Sequence, residues 1–217
     1  MLTLGIETSC DDTSVALLEN NKNLRCFLVA SQLKDHETFG GVVPELASRK
    51  HLENLIPLLS QLLDECEIKN PPREIHLIAV TDGPGLMGSL LIGTTAAKAL
   101  AQAWEVPLIA VNHLEGHIFS NYLAHDDLLP PFITLIISGG HTELILVRSF
   151  GDYKLLGATR DDAVGEAFDK VARLLGLGYP GGPMIEKMAG KGDPFAIPLP
   201  VPMANSPSIE FSFSGLK

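Results

Sequence analysis

The chain has 217 residues, 46% of them hydrophobic and 19% charged, with a mean hydropathy of +0.21. This is enough apolar material for one large domain or two small ones, it excludes a disordered protein, and no apolar run reaches the roughly eighteen residues of a membrane span. The net charge of −10, spread over both halves, argues against a free-standing nucleic-acid binder, whose affinity comes largely from clustered Lys and Arg. Met1-Leu2-Thr3-Leu4-Gly5 lacks the charged start of a secretory signal, and Cys10, Cys26 and Cys66 are too few and too widely spaced for a disulfide framework. A reduced, cytoplasmic setting without a membrane partner is expected.

Residues 2–6, 13–18 and 26–30 read as strands, separated by polar turns at Thr8-Ser9-Cys10-Asp11-Asp12 and Asn20-Asn21-Lys22-Asn23. Leu46, Leu52, Leu55, Ile56, Leu59, Leu62 and Leu63 recur at helical spacing over 43–65, and Asn70-Pro71-Pro72 then breaks the chain. A buried strand is expected at 75–80, a loop at 81–85, a small-residue helix from about 88 to 104 and a strand at 107–111. Strands alternating with helices predict right-handed βαβ units and an α/β sheet. After Pro130-Pro131 the pattern restarts: strands at 132–137, 142–147 and 153–158, then a helix over 163–175. The order strand, turn, strand, strand, helix thus occurs twice without sequence identity, and two such halves facing each other would set two hairpin turns across one cleft. The five prolines between Pro194 and Pro207 predict a loop. An element opens at Phe211-Ser212-Phe213-Ser214-Gly215 and the chain stops at Lys217, which suggests a fragment.

Two histidines at i and i+4, His113 and His117, follow the 107–111 strand. That spacing offers two imidazoles to one metal from one helix face, at the carboxyl edge where open α/β sheets bind ligands. Spacing alone favours two surface histidines, the position at that edge favours a metal, and a complete shell needs a donor from elsewhere. Leu114 stands where a metalloprotease helix carries its glutamate base, which argues against peptide hydrolysis. In the first turn, Thr8, Ser9, Asp11, Asp12 and Thr13 offer hydroxyls, N–H groups and carboxylates to a phosphate or metal, although such residues favour ordinary turns as well. Ser138-Gly139-Gly140-His141-Thr142 makes a second turn whose glycines admit close approach of a ligand. Thr81 to Ser89 is neither a dinucleotide fingerprint nor a P-loop, and reads equally as an anion site or as the lead-in to a helix. Asp161-Asp162 suit a helix N-terminus, and Gly178 to Pro183 suits a ribose pocket or a rigid linker. His36, His51, His76 and His125 have no partner pattern and read as structural or solvent-exposed; Trp104 and the stripe Phe168, Val171, Leu174, Leu175 read as core.

Six ordered motifs carry a resemblance: Ile6 to Thr13, Val43 to His51, Gly83 to Leu86, Asn112 to His117, Ser138 to Thr142, and Gly165 to Lys170 with Tyr179 to Pro183. Together they resemble the TsaD-type tRNA N6-adenosine threonylcarbamoyltransferases, once labelled O-sialoglycoprotein endopeptidases. The resemblance implies an actin-like, sugar-kinase-like (ASKHA) two-lobed α/β fold. Residues 1–125 would form the N-terminal lobe, with the first phosphate turn and the histidines, and 126–217 an incomplete second lobe with the Gly-rich turn. It implies transfer of threonylcarbamoyl from threonylcarbamoyl-adenylate to N6 of adenosine 37 in tRNAs reading codons that begin with A. By the same resemblance His113 and His117 match the ligands of an iron or zinc ion, and Ile136, Ile137, Ser138, Gly139, Gly140, Asp169 and Gly182 match positions binding the adenylate (or ATP). Asp11 matches the acidic residue near the reacting group. Implied partners are tRNA, a paralogous TsaB-type subunit, a TsaE-type ATPase and, upstream, a TsaC-type adenylate-forming enzyme. The family runs further, and its later segment supplies a metal-ligating aspartate and a substrate-contacting asparagine, so an incomplete metal shell and weak turnover are expected of this chain. The competing readings are a kinase or ATPase of the same fold, which has no use for the histidine pair, and a non-catalytic TsaB-like scaffold, which has no reason to keep that pair or the Ser138 turn.

Overall fold

The computed structural model describes residues 1–20, 22–125 and 127–217. Asn21 of the expected second turn and Asp126, where the second lobe was expected to start, lie outside the described residues. The chain divides into two compact units, Met1–Asp126 and Asp127–Lys217.

In the first unit, strands β1 (Leu2–Glu7), β2 (Asp12–Glu19) and β3 (Asn23–Ser31) form an antiparallel meander, and β4 (Leu77–Gly83) and β5 (Leu108–Asn112) join it in parallel. The sheet order is β3-β2-β1-β4-β5, with Gly5 opposite both Ala16 and Ala79. Because strand side chains alternate, Leu2, Leu4, Ile6, Val15, Leu17, Ile78 and Val80 fall on one buried face. Helices α2 (Pro44–Glu65) and α4 (Met87–Trp104) contribute most of the rest of that core, and Ile68 and Ile75 between them complete it. On α2 the inward stripe is Ala47, His51, Leu55, Leu58, Leu59 and Leu62. Leu52 and Ile56, part of the periodic pattern in the sequence, are 67% and 58% exposed, because each sits one residue, about 100° of helix, past a buried position. On α4 the buried residues are all small: Ser89, Gly93, Ala97 and Ala101. A Cβ at Gly93 would strike the Thr8 hydroxyl, so the helix lies closer to the end of β1 than any larger residue there permits.

The short helix α1 (Leu33–Glu37) precedes α2. The expected break at Asn70-Pro71-Pro72 is instead the start of a one-turn helix, α3 (Pro71–Glu74). Proline fits a first helical position because the N–H it lacks has no partner there. Strand β4 runs past its expected end to Gly83, since Thr81 and Gly83 still pair with Val111 and Asn112 of β5. Helix α5 (His113–Ala124) leaves directly from β5.

In the second unit, β6 (Phe132–Ile137), β7 (Thr142–Ser149) and β8 (Asp152–Ala158) form another antiparallel meander, followed by α6 (Val164–Leu174) and α7 (Gly181–Ala189). Pro194 to Pro207 contains neither helix nor strand. Phe211 bridges Thr159 in parallel, and Ser214–Leu216 makes a short 3₁₀ turn. The expected core stripe on α6 is not buried: Phe168, Leu174 and Leu175 are 41%, 75% and 63% exposed, while Ala163, Ala167 and Ala172 face inward. Close packing explains this. A Cβ on Gly181 of α7 would lie 2.6 Å from the Asp169 Cα and 2.8 Å from the Ala172 Cβ, so only small residues fit between the helices. Trp104 is half-buried against the first unit's core. No helix among the described residues is long and apolar enough to cross a membrane.

Candidate functional site

The first hairpin turn is fastened from outside itself. The Thr8 hydroxyl donates to the Ser89 carbonyl at 2.8 Å, the Leu86 N–H donates to the Ser9 carbonyl at 2.7 Å, and the Ser89 hydroxyl reaches the Cys10 carbonyl at 3.4 Å. Gly85 permits this approach, since a Cβ there would come within 2.6 Å of the Ser9 carbonyl oxygen. The Thr81–Ser89 segment thus serves as the clamp on the turn. Asp11 is half-buried in the turn, with its carboxylate beside the Cys10 thiol. Partial burial, and then the negative charge of Asp11, Glu7 and Asp12, push that thiol up to about 12.

The histidine pair stands at the same edge of the sheet. Asn112 caps α5, its Oδ1 accepting from the Leu114 and Glu115 N–H groups at 2.9 and 3.4 Å, so the helix begins at His113 and places His117 one turn on. The two Nε2 atoms are 3.1 Å apart and the rings meet edge to face. His113 Nδ1 lies 3.1 Å from Ser9 Oγ and 3.4 Å from a Glu7 carboxylate oxygen. A carboxylate only accepts, so Nδ1 carries the proton and Nε2 turns its lone pair toward His117. This is the carboxylate–histidine arrangement that orients a metal-binding imidazole. Burial raises the Glu7 pKa, but the hydrogen bonds with His113, the Ser9 hydroxyl and the Ser9 N–H outweigh it and the net shift is downward, so the carboxylate stays charged.

The residues fit a cation. With metal–nitrogen bonds of about 2.0–2.1 Å, two ligands of a tetrahedral ion stand about 3.3 Å apart, close to the 3.1 Å separation here. Among the described residues no cluster of three or more His, Cys, Asp or Glu side chains surrounds this pair, so the two imidazoles supply a partial shell.

In the second unit the other expected residues gather along α6. Ile136 is buried and Ile137 exposed at the end of β6. The Ser138 N–H donates to the His141 carbonyl at 2.9 Å, and Ser138 Oγ accepts from the His141 and Gly140 N–H groups at 2.9 and 3.3 Å. A Cβ on Gly139 or Gly140 would meet no atom within 4 Å, so this bend faces open space. The Gly165 N–H reaches the Ser138 carbonyl at 3.2 Å, and the Val164 N–H donates to Thr142 Oγ1 at 2.9 Å, seating the N-terminus of α6 on the turn. One helical turn on, Asp169 Oδ1 accepts from the Gly181 N–H at 2.7 Å and holds the start of α7, with Gly182 open beside it. Asp161 and Asp162 do more than complement a helix end. Asp161 accepts from the Ser212 hydroxyl at 2.5 Å and from the Phe213 and Ser214 N–H groups at 2.8 and 3.2 Å, while Asp162 pairs with Lys170 at 3.0 Å. Sequence reasoning missed Glu7, which stands just before the turn and carried no periodic signal; the only hint was an acidic residue closing an apolar strand.

A mixed sheet of this order, with a second meander-and-helix unit after it, defines an α/β protein of the actin-like, sugar-kinase-like class. The family model "TsaD: tRNA N6-adenosine threonylcarbamoyltransferase" matches residues 24–217, and the chain belongs to that family. Relatives bearing that name from Clostridioides difficile (strain 630) and Dictyoglomus turgidum (strain DSM 6724 / Z-1310) are 51% and 56% identical, each match covering 100% of this chain and 64% of the relative. The chain thus spans between 60% and 65% of the length of the curated relatives it matches. Among solved structures, YeaZ from Pseudomonas aeruginosa is 22% identical with a TM-score of 0.45, over 71% of this chain and 63% of that one.

Proposed function

We propose that the chain carries the metal- and nucleotide-handling part of a tRNA N6-adenosine threonylcarbamoyltransferase. It would move a threonylcarbamoyl group from threonylcarbamoyl-adenylate to N6 of adenosine 37 in tRNAs reading codons that begin with A. The observation that carries this reading is the hydrogen bond between Ser9 of the first turn and His113, which ties the residues matching the phosphate turn to those matching the metal ligands.

In the proposed reaction N6 bonds to the carbamoyl carbon, the carbon–oxygen bond to the adenylate phosphate breaks, and AMP leaves with that electron pair. The amine proton passes to the Asp11 carboxylate, a half-buried base at the turn. His113 and His117 would hold an iron or zinc ion, which as a Lewis acid withdraws charge from phosphate or carbamoyl oxygens. Glu7 and Ser9 keep His113 in the ligating tautomer. The Ser138-Gly139-Gly140 bend, with Ile136 and Ile137 leading into it, would let the adenylate come close to the backbone without side chains in the way. Asp169 and Gly182 would shape the nucleoside end of that site.

An acidic chain suits a component that receives tRNA with help, here a TsaB-type paralogue and a TsaE-type ATPase, with a TsaC-type enzyme supplying the adenylate. Three free cysteines accord with a cytoplasmic protein. The test supplies the chain with tRNA and threonylcarbamoyl-adenylate and measures the modified nucleoside by mass spectrometry. Asp11→Asn should lower the rate by about 10²-fold or more. Unchanged transfer by that variant would contradict the assignment of Asp11.

A further inference from the structure

Four fully buried polar side chains lie behind the first turn, and the reaction proposed above uses none of them: Thr13, Gln32, His36 and His51. Buried polar groups persist when their hydrogen bonds are satisfied, and here the bonds run in one direction. The Val43 N–H, at the N-cap of α2, donates to His36 Nδ1 at 3.3 Å. That leaves His36 Nε2 as the donor to Gln32 Oε1, at 3.2 Å. The Gln32 amide therefore turns its NH₂ toward the Ala47 carbonyl at 3.4 Å and His51 Nδ1 at 3.5 Å. The Thr13 hydroxyl lies 2.8 Å from the same Nδ1. On the far side of the ring, His51 Nε2 is 3.0 Å from the Cys10 carbonyl. A carbonyl only accepts, so Nε2 carries the proton and Nδ1 receives.

We infer that His51 is a positioning residue for the turn bearing Asp11. It grips the turn on both sides of that residue, at the Cys10 carbonyl before it and the Thr13 hydroxyl after it. The Cys10 carbonyl also accepts from Ser89 Oγ at 3.4 Å, so α2 and α4 hold one oxygen from two directions. His51 reaches no reacting group; it acts by fixing where the Asp11 carboxylate stands. A leucine of similar size fills the space but frees both ends of the grip. Glutamine keeps an N–H near the Nε2 position and can still reach the Cys10 carbonyl.

The consequence for catalysis rests on the reading of Asp11 above, so the test carries one readout that does not. Cys10 is exposed beside Asp11, and the rate at which iodoacetamide alkylates it, followed by mass spectrometry across pH, reports where the carboxylates stand. His51→Leu should speed Cys10 alkylation by about tenfold at pH 8, equal to one unit of its pKa, while Cys26 and Cys66 keep their rates. His51→Gln should restore most of the original profile, and Thr13→Val should give a smaller shift in the same direction. In the transfer assay His51→Leu should lower kcat with KM for tRNA little changed. An unaltered Cys10 profile in folded His51→Leu or Thr13→Val, or equal acceleration at all three cysteines, would overturn the inference. If Cys10 responds as stated but Asp11→Asn transfers normally, the positioning stands and the role given to Asp11 fails.

Discussion

The turn at Thr8–Asp12 is tied down by distant parts of the chain, whereas the bend at Ser138–His141 is held largely by its own atoms. The first has Leu86 on the Ser9 carbonyl, Ser89 and His51 on the Cys10 carbonyl, and Ser89 again under the Thr8 hydroxyl. The second closes through Ser138 and His141, and its outside support comes from the start of α6, where the Gly165 N–H meets the Ser138 carbonyl and the Val164 N–H meets Thr142 Oγ1. One construction holds side chains such as Asp11 in a fixed place. The other leaves bare backbone open to whatever binds. Two hairpins at matching places in the repeated element order therefore suit different tasks: orienting catalytic groups and admitting a ligand.

Glycine substitutions break that comparison most sharply. Gly93→Val should destabilise the first unit by about 3 kcal/mol in urea unfolding, since its side chain enters space already filled by Thr8. In a double-mutant cycle, Thr8→Ala should recover part of that loss, which ties the cost to this contact. A smaller effect is expected at Glu7. Glu7→Gln should weaken metal binding by about tenfold, read by competition with a chromophoric chelator, because His113 loses its charged partner.

A pH test sharpens the same contrast in the second unit. The Ser212 hydroxyl and the Phe213 and Ser214 N–H groups hold the Asp161 pKa down to about 2, from an ordinary 3.8. A lowered carboxylate pKa means stabilisation fully present above the unfolded value and lost as pH falls through the folded one. The protection of the Phe213 and Ser214 amides against hydrogen exchange, relative to their intrinsic rates, should hold at pH 4 and fall as the pH drops toward 2, and Asp161→Asn should show the low protection at neutral pH. The smallest effect belongs to Gly139. Gly139→Ala should change stability by no more than about 0.5 kcal/mol, since its Cβ meets nothing.

Local patterns gave most of the elements and distant ones gave few of the contacts. Short apolar runs bounded by turns mark β1, β2, β6 and β7, and helical spacing marks α2 and the His113/His117 pair, because both signals operate within a few residues. The partners of that pair were not legible: Ser9 and Glu7 lie more than a hundred residues earlier, and only folding brings β1 beside β5 through β4. The misread stripe on α6 has a similar cause. Phe168, Leu174 and Leu175 have the apolarity of core residues, yet the facing helix presents Gly181 so closely that alanines take the inner side. Apolarity identifies what can be buried, and the approach of the neighbouring backbone selects what is.

The proposed transfer chemistry requires His113 and His117 to act as one ligand pair beside the first turn. Metal content, measured by plasma mass spectrometry after iron or zinc is offered to the protein and to His113→Ala/His117→Ala, tests this most directly. One ion per chain in the protein and none in the double variant is the predicted result; equal loading of the two would contradict it.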